Sequence, residues 1–338
     1  MPPQFLTTVQ RILQYGLTTN SYKFALLRAL AAFGKKPGIE NTIPFSWLAE
    51  QFLAYYWPFV TLHIRQATDQ ARDPVIMRFI RDVLPPMASS MHGAREKFRK
   101  NNPQEYQEIL DRCCRPGGCF DEVVPRLHTI RRRQVDAPLY DFDMQKRELH
   151  LRPRARQFLQ EYREVVELLS IGGWVRFTEQ YTTQPRLYEK ISGIKPERHA
   201  LRYQALLHSY RGGICFYCET GSNSQLHVEH VIPWSFIFED RIWNLVLACQ
   251  ACNSSKSDQT PEDHYIDRLN ERNRDLSTWL KENGTSTRDI HARKDFKDIQ
   301  DRNLGEHLKT LVQTCRDEGF GTWNGPPTGH NASWSDRT

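Results

Sequence analysis

The sequence predicts an α+β protein: a mostly helical N-terminal region, then a small domain of two strands and a helix, with further helices trailing it. Apolar residues recur at helical spacing through most of the first 113 residues. Two Cys-x-x-Cys pairs, Cys215/Cys218 and Cys249/Cys252, bracket two short apolar runs that are typical of strands. A chain of 338 residues is long enough for two domains.

The N-terminal region contains at least four helical patterns. Residues 21–33 place Phe24, Leu27 and Leu30 on one face, and Ser21 is positioned to cap this helix. Residues 44–67, 73–101 and 103–113 have comparable apolar stripes. We therefore expect a helical core rich in aromatic side chains.

The pattern changes after the segment CCRPGGC, whose proline and glycines interrupt the helices. Residues 123–151 predict two or three short strands. Residues 153–181 predict one long helix that Gly172 and Gly173 end or kink. A basic, turn-rich stretch at 184–203 is the expected link to the second domain.

The charge pattern and the search for targeting segments indicate the expected partner and location. The net charge of +6 is modest, but basic residues come in three bursts, at 95–100, 131–133 and 152–156, which favour a polyanionic partner. The first 16 residues lack the basic and apolar regions of a signal peptide, and no stretch is apolar for long enough to span a bilayer. We therefore expect a cytoplasmic protein without membrane contact.

The four cysteines of the two pairs form the clearest metal signal. Four thiolates in tetrahedral array are what a structural Zn²⁺ prefers, and such a closed site contributes on the order of 10 kcal/mol to folding. No coordination position is left open for a substrate. The 30 residues between the pairs are therefore predicted to form a structure that zinc holds closed.

The segment between the two cysteine pairs, which we call the zinc knuckles, contains the candidate catalytic residues. LHVEHVIPWS places His227, Glu229 and His230 within four positions of a predicted strand. Alternation along a regular strand sends Glu229 and His230 to opposite faces, so a bulge or bend would be needed to bring both to one site.

These residues resemble the HNH nucleases, the ββα-metal or His-Me finger family, over residues 212–270. The resemblance rests on Glu229-His230-x-x-Pro233, on Asn244, and on Asn253 and Lys256, all framed by the cysteine pairs. Two departures are Glu229, where many members have Asp, and Asn253, where the founding pattern has His.

The resemblance implies a role for each residue. His230 would be the general base, Asn244 would tether the loop that presents it, and Lys256 would lie near the start of the helix facing phosphate. Glu229 and Asn253 would bind a catalytic Mg²⁺ or Mn²⁺, with His227 as a tentative further ligand or an ordinary surface histidine.

The resulting hypothesis is a metal-dependent DNA endonuclease that nicks one strand per active site. Its expected partners are double-stranded DNA, such as invading phage DNA, and other proteins of an anti-phage defence system. Two alternatives stay open: a catalytically silent zinc-stapled nucleic-acid-binding module, and a nuclease active only with a partner or guide.

The corresponding domain boundaries are 1–195 for a helical recognition or partner domain, 196–275 for the HNH domain, 276–320 for C-terminal helices, and 321–338 for a disordered tail. Cys113, Cys114 and Cys119 with His128 could form a second zinc site, but their spacing favours free thiols. Cys315 is expected in the core.

Overall fold

A computed structural model describes residues 3–327, apart from 17–19, 36–40, 69, 85–93, 195, 222–225, 284–286 and 301–302. The chain divides into two compact units. The first contains residues 1–183 and 187–194, and the second contains residues 184–186 and 195–338. Helices dominate and the sheets are small, so the predicted α+β class is confirmed.

The first unit is built from ten α-helices among its described residues. They are α1 Pro3–Tyr15, α2 Tyr22–Gly34, α3 Phe45–Thr61, α4 Val75–Val83, α5 Ala94–Asn101, α6 Pro103–Cys114, α7 Phe120–Arg126, α8 Pro153–Glu161, α9 Arg163–Thr178 and α10 Leu187–Ser192. A short 3-10 helix occupies Gln70–Arg72.

Helix α2 lies at the centre of this unit. All but one of its residues are buried, and it packs against α3, α8 and α9. Lys23 donates to the carbonyls of Ile12, Leu13 and Gly16 at the end of α1, where helix carbonyls need partners outside the helix. Ser21 does not cap α2 as predicted, because its hydroxyl is paired with Tyr56 OH at 2.7 Å.

The predicted long helix over 153–181 is divided, but not at its glycines. Helix α8 ends at Glu161, and α9 begins at Arg163 and continues through Gly172 and Gly173 to Thr178. A Cβ on Gly173 would lie 2.9 Å from the Phe24 ring, so glycine at this position allows α2 and α9 to approach closely.

Five short strands complete the first unit as described. β1 Thr42–Pro44, β5 Glu148–Leu151 and β4 Tyr140–Asp143 form an antiparallel sheet in the order β1-β5-β4. β2 Thr129–Ile130 and β3 Arg133–Gln134 form a hairpin whose turn is Arg131–Arg132. The span predicted to supply two or three strands thus contains four, together with helix α7.

The second unit contains the remaining elements. They are α11 Gln204–Arg211, β6 His227–His230, α12 Trp234–Ile237, β7 Leu245–Ala248, α13 Gln250–Lys256, β8 Thr260–Pro261, α14 Asp263–Asn283, α15 Thr287–Gln300, α16 Leu304–Asp317 and β9 Thr322–Trp323, with 3-10 helices at Ala200–Tyr203 and Ile242–Asn244. One hydrophobic core joins the β6–β7 hairpin to α11, α14, α15 and α16. Cys315 is fully buried in this core.

The C-terminal residues differ from the predicted disordered tail. Thr322–Trp323 pairs with Thr260–Pro261 as a parallel two-residue ladder. Trp323 is buried against Tyr217 and Tyr265, and its indole N–H donates to Ser255 Oγ at 3.0 Å. Burial of this indole orders the chain past position 321, and residues 328–338 lie outside the described part.

None of the described helices combines the length and the apolar composition that a bilayer crossing requires.

Candidate active site and metal centre

The four cysteines of the two knuckles lie together. Cys215 and Cys218 precede β6, Cys249 is the residue before α13, and Cys252 is in that helix's first turn. Their four sulfur atoms lie within 4.8 Å of one another and all four residues are buried. Cys218 Sγ and Cys249 Sγ are 3.9 Å apart, close to the edge of about 3.8 Å that a tetrahedron with 2.3 Å Zn–S bonds requires.

The thiol chemistry of the cluster also suits a metal. A hydrogen bond with Cys252 lowers the pKa of Cys215 to about 4, and the backbone N–H of Cys249 donates to Cys215 Sγ at 3.4 Å. The same bond raises the pKa of Cys252. Burial raises the pKa of Cys249 as well, so Cys215 is the one cysteine of the cluster whose surroundings favour the thiolate that Zn²⁺ binds.

The N-terminal cysteines are arranged differently. Cys113, Cys114 and Cys119 are free thiols, and His128 Nε2 accepts the backbone N–H of Leu139 at 3.0 Å. Burial lowers the pKa of His128 to about 4. Within the described ranges, the four knuckle cysteines are the only His/Cys/Asp/Glu group with metal-binding geometry.

Strand β6 presents the three polar residues of the motif. It pairs with β7 in regular antiparallel register through His230 opposite Leu245, without the bulge or bend that the sequence led us to expect. Glu229 and His230 therefore project to opposite faces. His227 shares the face of Glu229 and is half-buried.

The turn after His230 is fixed by Asn244. Its side-chain oxygen accepts the N–H of Ile232 at 2.8 Å, and its side-chain N–H donates to the carbonyl of Ile232 at 2.9 Å. Its backbone carbonyl also accepts the N–H of Val231 at 2.9 Å. Because Asn244 is fully buried, these three bonds hold the residues next to His230 in one conformation.

His230 has a partner that the sequence reading missed. Its Nε2 lies 2.8 Å from Asp240 Oδ1, and both side chains are almost fully buried. Asp240 Oδ2 accepts the backbone N–H groups of His199 and Ala200. An acidic residue ten positions after the histidine, in an irregular loop, carries no sequence signal that distinguishes it from a surface carboxylate.

The resemblance implied that Lys256 lies near the start of the helix and faces phosphate, but its position differs. It is the last residue of α13, not near its start, and its side chain has no exposed area. Its ammonium donates to Glu229 Oε1 at 2.8 Å and to the carbonyl of His230 at 2.9 Å. A buried ammonium must be paired, and these oxygens at the end of β6 are its partners.

Asn253 lies one turn before Lys256 on α13, so the two share the face that packs on β6. Its side-chain amide is half-buried and has no hydrogen-bond partner within the described residues. Glu229 uses one carboxylate oxygen for Lys256. The donors present, one carboxylate and one amide oxygen, are hard oxygens of the kind that Mg²⁺ and Mn²⁺ prefer.

A further carboxylate and an arginine lie close by. Asp258 Oδ1 accepts Ser235 Oγ–H at 2.7 Å, while its buried Oδ2 has no partner. Burial raises the pKa of Asp258, although Lys256 and Arg198 act against it. The exposed Arg198 lies over the Trp234 ring at 4.7 Å and lowers the pKa of Asp240 as well.

Comparison with known families agrees with this geometry. A family model described as HNH endonuclease matches residues 218–262, which contain β6, β7, α13 and three of the four cysteines. This segment is an HNH domain. A second model, a domain of unknown function named DUF8808, matches residues 3–113. Comparisons with curated proteins and with solved structures gave no match.

The HNH domain is therefore closed by a four-cysteine cluster that fits a structural zinc, as the sequence predicted. Glu229 and Lys256 meet where α13 packs on β6, with Asn253 one turn before Lys256, whereas the His230 side chain lies on the opposite face of β6 against Asp240.

Proposed function

We propose that this protein is a metal-dependent DNA endonuclease whose HNH domain nicks one strand per active site. The observation that carries the proposal is the fixed imidazole of His230 at the end of β6. One of its nitrogens, Nε2, lies 2.8 Å from Asp240 Oδ1, which leaves Nδ1 as the nitrogen that would act on water. An imidazole held in this way is suited to accept a proton from water.

The remaining chemistry would come from Glu229 and Asn253. Their oxygens would hold a Mg²⁺ or Mn²⁺ ion, which when bound would stabilise negative charge on the phosphate and on the leaving oxygen. Lys256 neutralises part of the charge of Glu229 and orients it through the 2.8 Å ion pair. His227 would be a further ligand, since it shares the face of Glu229.

Exposed basic side chains, and not the buried Lys256, would contact the substrate. Arg198 is exposed, stacked on Trp234, and acts electrostatically on Asp240 and Asp258. A guanidinium can bind a phosphate through two parallel hydrogen bonds. We infer that Arg198 contacts the DNA backbone while His230 accepts the proton of the attacking water.

A plasmid assay tests the proposal. The purified chain is incubated with supercoiled plasmid and Mg²⁺ or Mn²⁺, and wild type is compared with His230→Ala and with His264→Ala. His264 is an exposed histidine of the same unit, paired with Glu262, and serves as the matched control. We expect metal-dependent open-circular product from wild type and His264→Ala, and none from His230→Ala.

Equal nicking by His230→Ala would show that this residue is not the base. An inert wild-type chain with intact fold and bound zinc would instead favour a binding module or a nuclease that needs a partner. The proposed role in anti-phage defence is tested separately, by deleting the gene and measuring plaque formation.

A further inference from the structure

The side chain of Asp240 is placed to decide which nitrogen of His230 carries a proton. His230 Nε2 and Asp240 Oδ1 are 2.8 Å apart, and the two side chains are 5% and 4% exposed. We propose that Asp240 is a positioning residue that keeps the proton of His230 on Nε2, so that Nδ1 is the atom that accepts a proton from water. The catalytic meaning rests on the proposed function, whereas the tautomer does not.

The hydrogen bonds of the Asp240 carboxylate determine the direction of its hydrogen bond with the imidazole of His230. Oδ2 accepts two backbone N–H groups, those of His199 and Ala200, the latter at 3.0 Å. An ionised carboxylate has no proton to donate. Oδ1 must therefore accept from His230, and Nε2 must be the protonated nitrogen.

The carboxylate is held in its ionised form. Burial would raise the pKa of Asp240, but the hydrogen bond with His230 and the backbone donor at His199 outweigh burial and lower it. The backbone that carries the ring is also held in place, since Asn244 fixes the following turn through Val231 and Ile232. The pair is thus preorganised before any substrate binds.

A purely structural role for Asp240 is the competing explanation, because the carboxylate also ties residues 199–200 to the loop. Asp240→Asn separates the two roles. The amide oxygen would still accept from His199 and Ala200, which turns the amide N–H₂ toward His230 Nε2. Nε2 then has to be an acceptor, so the proton moves to Nδ1 and the base is lost while the loop stays tied.

Asp295→Asn is the matched control. Asp295 is another buried carboxylate of the same unit that accepts a backbone N–H, from Ile242 at 3.0 Å, and it also holds Tyr203 and Arg241. Its recorded partners do not include His230. This variant removes a buried charge of the same kind without touching the imidazole.

The test measures the tautomer and the cutting rate on the same full-length preparations. ¹⁵N-histidine-labelled wild type, Asp240→Asn and Asp295→Asn are compared by NMR above the titration range of histidine, with His230→Gln identifying the His230 signals. Single-turnover nicking is then measured at saturating DNA across a metal titration.

We expect the Nε2–H tautomer in wild type and in Asp295→Asn, and the Nδ1–H tautomer in Asp240→Asn. Asp240→Asn should lose about 100-fold or more of the cutting rate, with unchanged DNA affinity and metal midpoint. Asp295→Asn should keep its rate within a few-fold.

Three results would overturn the inference: an Nδ1–H tautomer in wild type, an unchanged tautomer in folded Asp240→Asn, or unimpaired cutting by that variant. If Asp240→Asn does not fold, the wild-type tautomer alone decides. If wild type cuts no DNA, the proposed function fails, while the NMR comparison still tests whether Asp240 sets the tautomer.

Discussion

At the scale of single residues, the site contains charged side chains whose partners cannot be identified from the sequence. The family pattern places Lys256 near the phosphate, yet its ammonium is fully buried against Glu229 and the carbonyl of His230. Its length and flexible stem let it reach back from the end of α13. The sequence thus indicated which residues matter, whereas their partners depend on how α13 packs on β6.

Lys256→Met tests the structural weight of this pair. The substitution keeps the volume of the stem but leaves a mostly buried Glu229 carboxylate and a buried carbonyl without their donor. We expect a loss of about 3 kcal/mol in the free energy of unfolding, measured by urea denaturation with zinc present.

Lys309→Met is the control for Lys256→Met. Lys309 and Asp267 form an ion pair of similar length, 2.7 Å, on the solvent side of α14 and α16, so we expect little change in stability. Equal effects of the two substitutions would contradict the buried-pair argument.

Asn253→Ala tests metal binding. Because the amide has no partner within the described residues, its removal should leave the thermal midpoint unchanged. It should shift the Mg²⁺ or Mn²⁺ dependence of nicking to about 10-fold higher concentration. Ser254→Ala, at the next exposed position of α13, is the control, and an unshifted metal titration in Asn253→Ala would show that this residue is not a ligand.

At the scale of elements, the zinc knuckles and the ββα order could be predicted because their spacing is local. Cys249 is the residue before α13 and Cys252 lies in its first turn, as the strand-to-helix position of the second pair implied. The continuation of α9 through Gly172 and Gly173 could not be predicted, since Gly173 lies against Phe24 of α2, a contact that its helix propensity does not show. The strand β9 was missed because it depends on burial of Trp323 by residues about 60 to 100 positions earlier.

Cys252→Ser tests the knuckles as an element. The four sulfurs lie within 4.8 Å, so removal of one leaves three ligands and should cost most of the metal's contribution to folding. We expect the variant to melt well below wild type and to contain less zinc by elemental analysis. Cys315→Ser, a buried cysteine outside the cluster, should retain full zinc content, and a wild-type melt that a strong chelator leaves unchanged would contradict the zinc staple.

At the scale of the whole molecule, the structure separates three basic bursts that look alike in the sequence. In the 95–100 burst, Arg95 and Arg99 approach Glu50 within 4 Å. In the 152–156 burst, Arg152 pairs with Asp141 and Arg156 is buried. The 131–133 burst forms the tip of the β2–β3 hairpin, where all three arginines are exposed and no ion pair is recorded for them within the described residues.

The turn of this hairpin has a strained backbone. Its two turn residues, Arg131 and Arg132, have φ angles of 47° and 67°, a conformation that costs a non-glycine residue about 1 kcal/mol or more. Arg131 also lies over the half-exposed ring of Tyr15 at 4.9 Å. Exposed arginines at such a turn, with no ion pair among the described residues, are suited to contact phosphates.

The hairpin arginines should therefore carry much of the salt dependence of DNA binding. Replacing Arg131, Arg132 and Arg133 by Ser removes up to three phosphate contacts, so the slope of log affinity against log salt should fall by about 2 to 3. Replacing Arg95, Arg99 and Arg152 by Ser removes the same net charge and should change the slope much less, because Arg95 and Arg99 lie near Glu50 and Arg152 pairs with Asp141. Equal slopes for the two triple variants would show that only net charge matters and that the hairpin has no special part in DNA binding.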